Sequence, residues 1–139
     1  MGKLEKKWGL KMYDEALLER NLHPRFRGKI ADIQPIELVN SSCGDELEIF
    51  LKIKDRRIVD GRFSGVGCAI SLASADAFIE EVKGKTIEEA KELSEDFSKM
   101  ILGGGGRKLK KANCLKCVSR MPARANCAKL AWKSLEKLA

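Results

Sequence analysis

Glu46-Leu-Glu-Ile-Phe-Leu-Lys-Ile-Lys54, then Asp55-Arg56, then Arg57-Ile-Val-Asp-Gly-Arg-Phe-Ser64 read as a strand, a turn and a returning strand. Leu47, Ile49, Leu51 and Ile53 alternate with mostly polar neighbours, the period of a half-buried strand. Ile58 and Phe63, with Val59 between them, carry the apolar pattern back less regularly. A turn centred between Asp55 and Arg56 pairs residues whose numbers sum to about 111. Cys43 and Cys68 meet that sum, which predicts two thiols on adjacent strand ends about 5 Å apart. Cys43-Gly44-Asp45 and Gly65-Val66-Gly67-Cys68 therefore bracket the hairpin. Two thiols and a carboxylate at one sheet edge make a metal site.

Outward from the hairpin, Met12 to Glu19 reads as a short helix that stops before Asn21 and His23-Pro24. A first strand is expected around Lys29 to Val39, held to a sheet edge by Pro35. After Cys68, a helix runs from about Ala69 to Lys83 with Gly84 as its stop. Its many alanines and serines give a face that can lie close against the sheet. Thr86-Ile-Glu-Glu89 is a capping box that opens a helix reaching about Leu102. Gly103 to Gly106 break that helix and predict a mobile surface loop. No Gly-Lys-Ser/Thr follows them, so they are not a phosphate loop. Lys108 to Ser119 is a further helical stretch, and after Pro122 a terminal helix is expected over Ala125 to Leu138. Trp8 and Trp132 read as packing residues, and His23 as no ligand.

With 139 residues, residues 1–139 are expected to form a single domain large enough for its own core. The charged N-terminus leads into no apolar stretch, and no run approaches the roughly 18 apolar residues of a membrane span. A cytoplasmic protein without membrane contact is the expectation. Five cysteines in such a setting point to metal or thiol chemistry rather than disulfides. The formal charge of +7 fits an acidic partner, whereas few aromatics and no recognisable module argue against nucleic acid.

Cys68 precedes a helix, where free amides and the helix dipole favour a thiolate, and Cys127 sits in the first turn of the last one. Cys43, Asp45, Cys68 and Cys127 together offer three thiolates and one carboxylate. That set suits tetrahedral zinc or the two irons of a [2Fe–2S] cluster. Replacing one thiolate by a hard oxygen leaves a weak corner, as a site that builds and then surrenders a cluster requires. Cys114-Leu-Lys-Cys117 has no second C-x-x-C to complete a zinc ribbon. The pair is open as extra ligands, a redox pair or packing.

Asn40-Ser-Ser-Cys-Gly-Asp45, Phe63-Ser-Gly-Val-Gly-Cys-Ala-Ile-Ser-Leu-Ala-Ser74 and Arg124-Ala-Asn-Cys-Ala-Lys-Leu-Ala-Trp132 together resemble the iron–sulfur cluster assembly scaffolds, the IscU, SufU and NifU N-terminal proteins. Tyr13 through His23-Pro-Arg-Phe-Arg-Gly28 resembles that family's opening segment. The resemblance implies an α+β fold, a three-stranded antiparallel sheet with helices packed on one side and the cluster or metal site at an exposed tip. It implies a scaffold and sulfur acceptor rather than a turnover enzyme. Such proteins take sulfur as persulfide from a pyridoxal-phosphate cysteine desulfurase, combine it with iron from an iron donor, and pass the cluster to apo iron–sulfur acceptor proteins. By the same match, Cys43, Asp45, Cys68 and Cys127 hold the cluster or zinc, and one thiolate, Cys127 in preference to Cys43, receives the sulfur. A homo-oligomer sharing a cluster is left open.

The pattern departs from IscU in three places. Asn126 stands where IscU has a histidine, so a histidine ligand is excluded. The long Cys68-to-Cys127 stretch, with Ser94 to Gly106, is closest to SufU. Met121-Pro-Ala-Arg124 replaces the IscU chaperone-recognition motif. The alternative to cluster scaffolding is therefore a zinc-bound, SufU-like sulfurtransferase serving its desulfurase. A basic, zinc-stabilised interaction module is a third class.

Overall fold

The computed structural model describes residues 14–138. Tyr13, Trp8 and the expected helix start at Met12 lie outside the described residues. Helix α1 spans Glu15–Leu22, with the Asp14 side chain accepting the Ala16 N–H as its cap. Strands β1 (Ile36–Asn40), β2 (Asp45–Lys54) and β3 (Arg57–Val66) follow. They form one antiparallel sheet in the order β1-β2-β3. Helices α2 (Ala69–Val82) and α3 (Ile87–Ile101) come next. The chain then runs through 3-10 helices Ala112–Arg120 and Pro122–Arg124 into the short helix α4 (Ala125–Lys129), and ends in a 3-10 helix, Ala131–Lys137.

The Asp55-Arg56 turn has both residues at positive φ, 52° and 60°, the backbone that matches strand twist in a two-residue hairpin. Lys54 opposes Arg57 and Ile53 opposes Ile58, as the turn position dictates. One residue on, the register shifts: Lys52 opposes Asp60, so Val59 is an extra residue on β3, a bulge. The bulge explains the irregular apolar spacing of β3. Ile58 and Phe63 lie an odd number of residues apart, yet both are fully buried. The extra residue carries Phe63 round to face Ile49 across the ladder. Ile53, beside the turn, is 37% exposed instead of continuing the buried row of Leu47, Ile49 and Leu51.

Strand β1 begins only at Ile36, later than the expected Lys29, because Ala31 and Asp32 form a turn and Pro35 has no N–H to give the ladder. It is an edge strand, as Pro35 requires. The small-residue face of α2 packs inward, with Ala73, Ala75 and Ala77 fully buried. Gly61 on β3 meets this helix; a Cβ there would lie 3.0 Å from Ile79. Both bonds of the Thr86/Glu89 capping box are present at the start of α3.

Two expectations fail in the last third of the chain. The Gly103–Gly106 run is not a free loop: Asp96 accepts the Gly106 and Lys108 N–H groups, both at 2.9 Å, and folds it back onto α3. The terminal stretch is not one helix, because α4 gives way after Lys129 to 3-10 turns. Those turns place Trp132 under the core, stacked on Phe97 at 4.2 Å and edge-on to Phe78 at 4.9 Å. Leu130 and Leu135 are buried beside it.

Candidate functional site

Strand β2 starts at Asp45, and the four residues before it form the turn from β1. Gly44 closes that turn at φ +71°, and Cys43 sits inside it. Asn40 and Asp45 are opposite residues of the β1–β2 ladder. At the same end of the sheet, β3 passes through Gly65 and Gly67 to Cys68, the N-cap of α2. Gly65 is at φ +122°, and any side chain there would collide with the Glu46 carbonyl.

Cys127 reaches this end from far along the chain. Ser74 on α2 donates to the Ala128 carbonyl at 2.6 Å and accepts the Trp132 indole N–H at 3.1 Å. These two bonds fasten α4 and the following 3-10 turn to α2. Cys127 Sγ thereby lies 3.0 Å from Cys43 Sγ. Among the described residues, ligand atoms of Cys43, Asp45 and Cys127 all lie within 4.8 Å of one another. Asp45 and Cys127 are buried, and Cys43 is half-buried.

Cys68 is placed differently from the sequence reading. The bulge at Val59 moves the register by one residue, Cys43 belongs to a turn, and Cys68 to a helix cap. The two thiols are therefore not a cross-strand pair. Cys68 falls outside the compact trio, but its backbone N–H donates to Asp45 Oδ1 at 2.9 Å, and its side chain interacts with the Cys127 thiol. Cys114 and Cys117 are buried in the 3-10 helix Ala112–Arg120 and do not join the trio. His23 is exposed.

The electrostatics favour a charged Asp45 carboxylate beside a neutral Cys127 thiol. Burial opposes ionisation of Asp45. The Cys68 N–H, the Cys127 thiol, the Ser71 hydroxyl and the Asn40 amide outweigh it and hold the carboxyl below its ordinary value. Burial, reinforced by Cys43 and Asp45, pushes the Cys127 thiol up. Arg124 Nη1 donates to Cys43 Sγ at 3.6 Å, which brings a cation to the thiols. Two thiols and a carboxylate at this spacing are a donor set for zinc or iron, with Cys68 at hand as a fourth.

Three supporting residues escaped the sequence reading as individual roles: Asn40, Ser71 and Arg124. Asn40 Nδ2 lies 3.2 Å from Asp45 Oδ2 and 3.5 Å from Cys127 Sγ, and Ser71 Oγ lies 3.1 Å from Asp45 Oδ1. Asn40 could have been found from the β1–β2 register, and Ser71 from its place one turn into the helix that Cys68 caps. Nothing in the sequence marks Arg124 beyond its position three residues before Cys127.

Residues 12–138 match the family model of the NifU-like N-terminal domain. The chain is 40% identical over 129 residues to the iron-sulfur cluster assembly scaffold protein IscU of Thermotoga maritima, covering 91% of each chain. It is 36% identical to the zinc-dependent sulfurtransferase SufU of Bacillus subtilis, over 91% of this chain and 88% of that one. Among solved structures it superposes with a TM-score of 0.85 on the SUF-system iron-sulfur cluster assembly scaffold protein of Fervidobacterium islandicum AW-1. The identity there is 35%, covering 93% of this chain and 97% of the other.

Proposed function

The chain belongs to the family of NifU-like N-terminal domains, and from that membership we propose that it is a scaffold on which iron–sulfur clusters are assembled. Sulfur arrives as persulfide from a pyridoxal-phosphate cysteine desulfurase, and ferrous iron comes from an iron donor. Oxidation of the two irons and an external electron donor together reduce the persulfide sulfur to sulfide, and a [2Fe–2S] cluster leaves for apo acceptor proteins. Cys43, Asp45, Cys68 and Cys127 hold this cargo, and Cys127, in preference to Cys43, is the thiol that accepts the sulfur. The work is that of a carrier in the cytoplasm rather than of a turnover enzyme. Among the described residues no helix is long and apolar enough to cross a membrane.

The observation that carries the reading is the meeting of Cys43, Asp45 and Cys127 within 4.8 Å at the end of the sheet where Cys68 caps α2. Asp45 supplies the hard corner, and the half-buried Cys43 and Cys68 are where solvent or a partner reaches the centre.

A second reading has its own support. No histidine stands near the trio, Asn126 precedes Cys127, and the B. subtilis relative is a zinc-dependent sulfurtransferase. On that reading zinc is resident, and the protein relays persulfide to and from its desulfurase.

Protein purified without oxygen and assayed for metal and acid-labile sulfide separates the two. Iron and sulfide in equal amounts support scaffolding. Zinc with persulfide uptake supports the relay, and zinc with no sulfur acceptance refutes both. Cys43→Ser and Cys68→Ser are expected to abolish loading while the circular dichroism spectrum persists; full loading in both refutes the ligand assignment.

A further inference from the structure

A groove of about 750 Å³ runs between α3 and the C-terminal 3-10 helix. Trp132 and Leu135, each 2% exposed, form its floor, and Leu102, 76% exposed, stands on its wall. Lys91 and Lys99 rim it from α3, and Lys129 and Lys133 from the opposite side. Only Glu95 and Glu136 offset them among its lining residues.

The rim belongs to a wider asymmetry. Asp96 and Glu136 bracket a stretch, Phe97 to Leu135, that holds ten lysines and arginines and no carboxylate. Of these ten cations, Lys99, Lys129 and Lys133 line the groove, and the others lie elsewhere along the same stretch. Fields of this kind draw and orient an oppositely charged partner.

We infer that the groove between α3 and the C-terminal 3-10 helix docks an acidic amphipathic helix of a partner protein. An exposed leucine beside a buried Trp and Leu asks for apolar side chains at helical spacing, and the lysine rim asks for carboxylates on either side of them. The small Ser94 and Ser98 on α3 leave room for a backbone to come close. Residues 1–13 of this chain carry four lysines and one glutamate, the wrong charge for this rim. Lys129 lies two residues after Cys127 in α4, so the occupant touches the helix that carries that thiol. The inference does not depend on which metal or cluster the centre holds.

The test uses the full chain and a labelled synthetic peptide of about four helical turns, with leucines at i, i+3, i+4 and i+7 and glutamates elsewhere. A counter-peptide replaces the glutamates by lysines. At low salt the acidic peptide is expected to bind at least about tenfold more tightly than the basic one and to weaken as salt rises. Lys99→Glu with Lys133→Glu, both exposed positions, is expected to cost about tenfold in affinity, with an unchanged circular dichroism spectrum. Backbone amide shifts are expected to cluster on α3 and residues 129–136. Equal binding of the two peptides overturns the inference, as does indifference to the double reversal or shifts confined elsewhere. It is equally overturned if a single-stranded oligonucleotide displaces the peptide, or if the chain self-associates through this face in a way that Leu102→Glu abolishes.

Discussion

Gly67 stands directly against Asp45: a Cβ at position 67 would lie 2.8 Å from Asp45 Oδ1 and would collide with Ser71 Oγ. The absence of a side chain there lets the carboxylate sit between the end of β3 and the first turn of α2. Gly67→Ala is therefore expected to displace Asp45 and weaken zinc binding roughly 10–100-fold, the usual effect of disturbing a ligand's supports. Competition against a chromophoric chelator measures it. Unchanged affinity would show that Asp45 does not depend on this fit.

The Asp45 carboxyl titrates below its ordinary value in the folded chain, against the pull of burial, because four donors surround it. A depressed carboxylate adds stability above its unfolded pKa of about 3.9, and that stability drains away as pH falls through the lower folded value. Asp45→Asn is thus expected to be less stable than the parent near neutral pH. The gap should close steadily below about pH 4. Urea unfolding of both metal-free proteins across acid pH checks it; a gap that widens in acid would refute the assignment.

Ser74 is buried and satisfies two partners at once, the Ala128 carbonyl and the Trp132 indole. Ser74→Ala leaves both without a partner, at a cost of about 1–3 kcal/mol. Because these bonds fasten α4, the variant is also expected to lose metal affinity, whereas Ser134→Ala, which breaks a local bond within its own turn, is not. Denaturant melts and chelator competition on the two variants distinguish a clamp on Cys127 from general destabilisation.

Burial pushes the Cys114 thiol up to about 11. A thiol that ionises more easily unfolded than folded lends stability that is whole below its unfolded pKa, about 8.5, and is lost as pH rises towards the folded value. Between those limits the parent should lose stability with rising pH, and Cys114→Ala should lose less. Native Cys114 should also resist iodoacetamide at mildly alkaline pH and react freely in urea, as peptide mapping would read. Rapid native labelling would mean that the Cys114-Cys117 pair is open to chemistry after all.

The hairpin, the helix after Cys68 and the capping box at Thr86 were legible because each is specified by neighbours in sequence: a period of two, a small-residue face, a side chain reaching its own backbone. The Val59 bulge left only an irregular apolar spacing, and one unplaced residue was enough to set Cys68 opposite the wrong neighbour. The 3-10 turns after Lys129 answer to Trp132 finding Phe78 and Phe97, a tertiary demand that overrides the helical leaning of an alanine-rich stretch. The approach of Cys127 to Cys43 depends on Ser74 holding Ala128. No local pattern encodes that bond, whereas Asn40 and Ser71 had local signals, a ladder position and a place one turn into a helix, that went unread.

The Asp55-Arg56 turn has a consequence for anyone wishing to harden this protein. Two residues with side chains occupy a left-handed backbone there, a conformation costing an ordinary L-residue roughly 1–2 kcal/mol and an aspartate less. Asn-Gly would adopt it more readily. Strand β2 spans ten residues, so this reserve lies about 30 Å from Asp45. The chain thus holds thermal headroom at the end of the sheet opposite Asp45, where an engineer can draw on it and leave the chemistry alone.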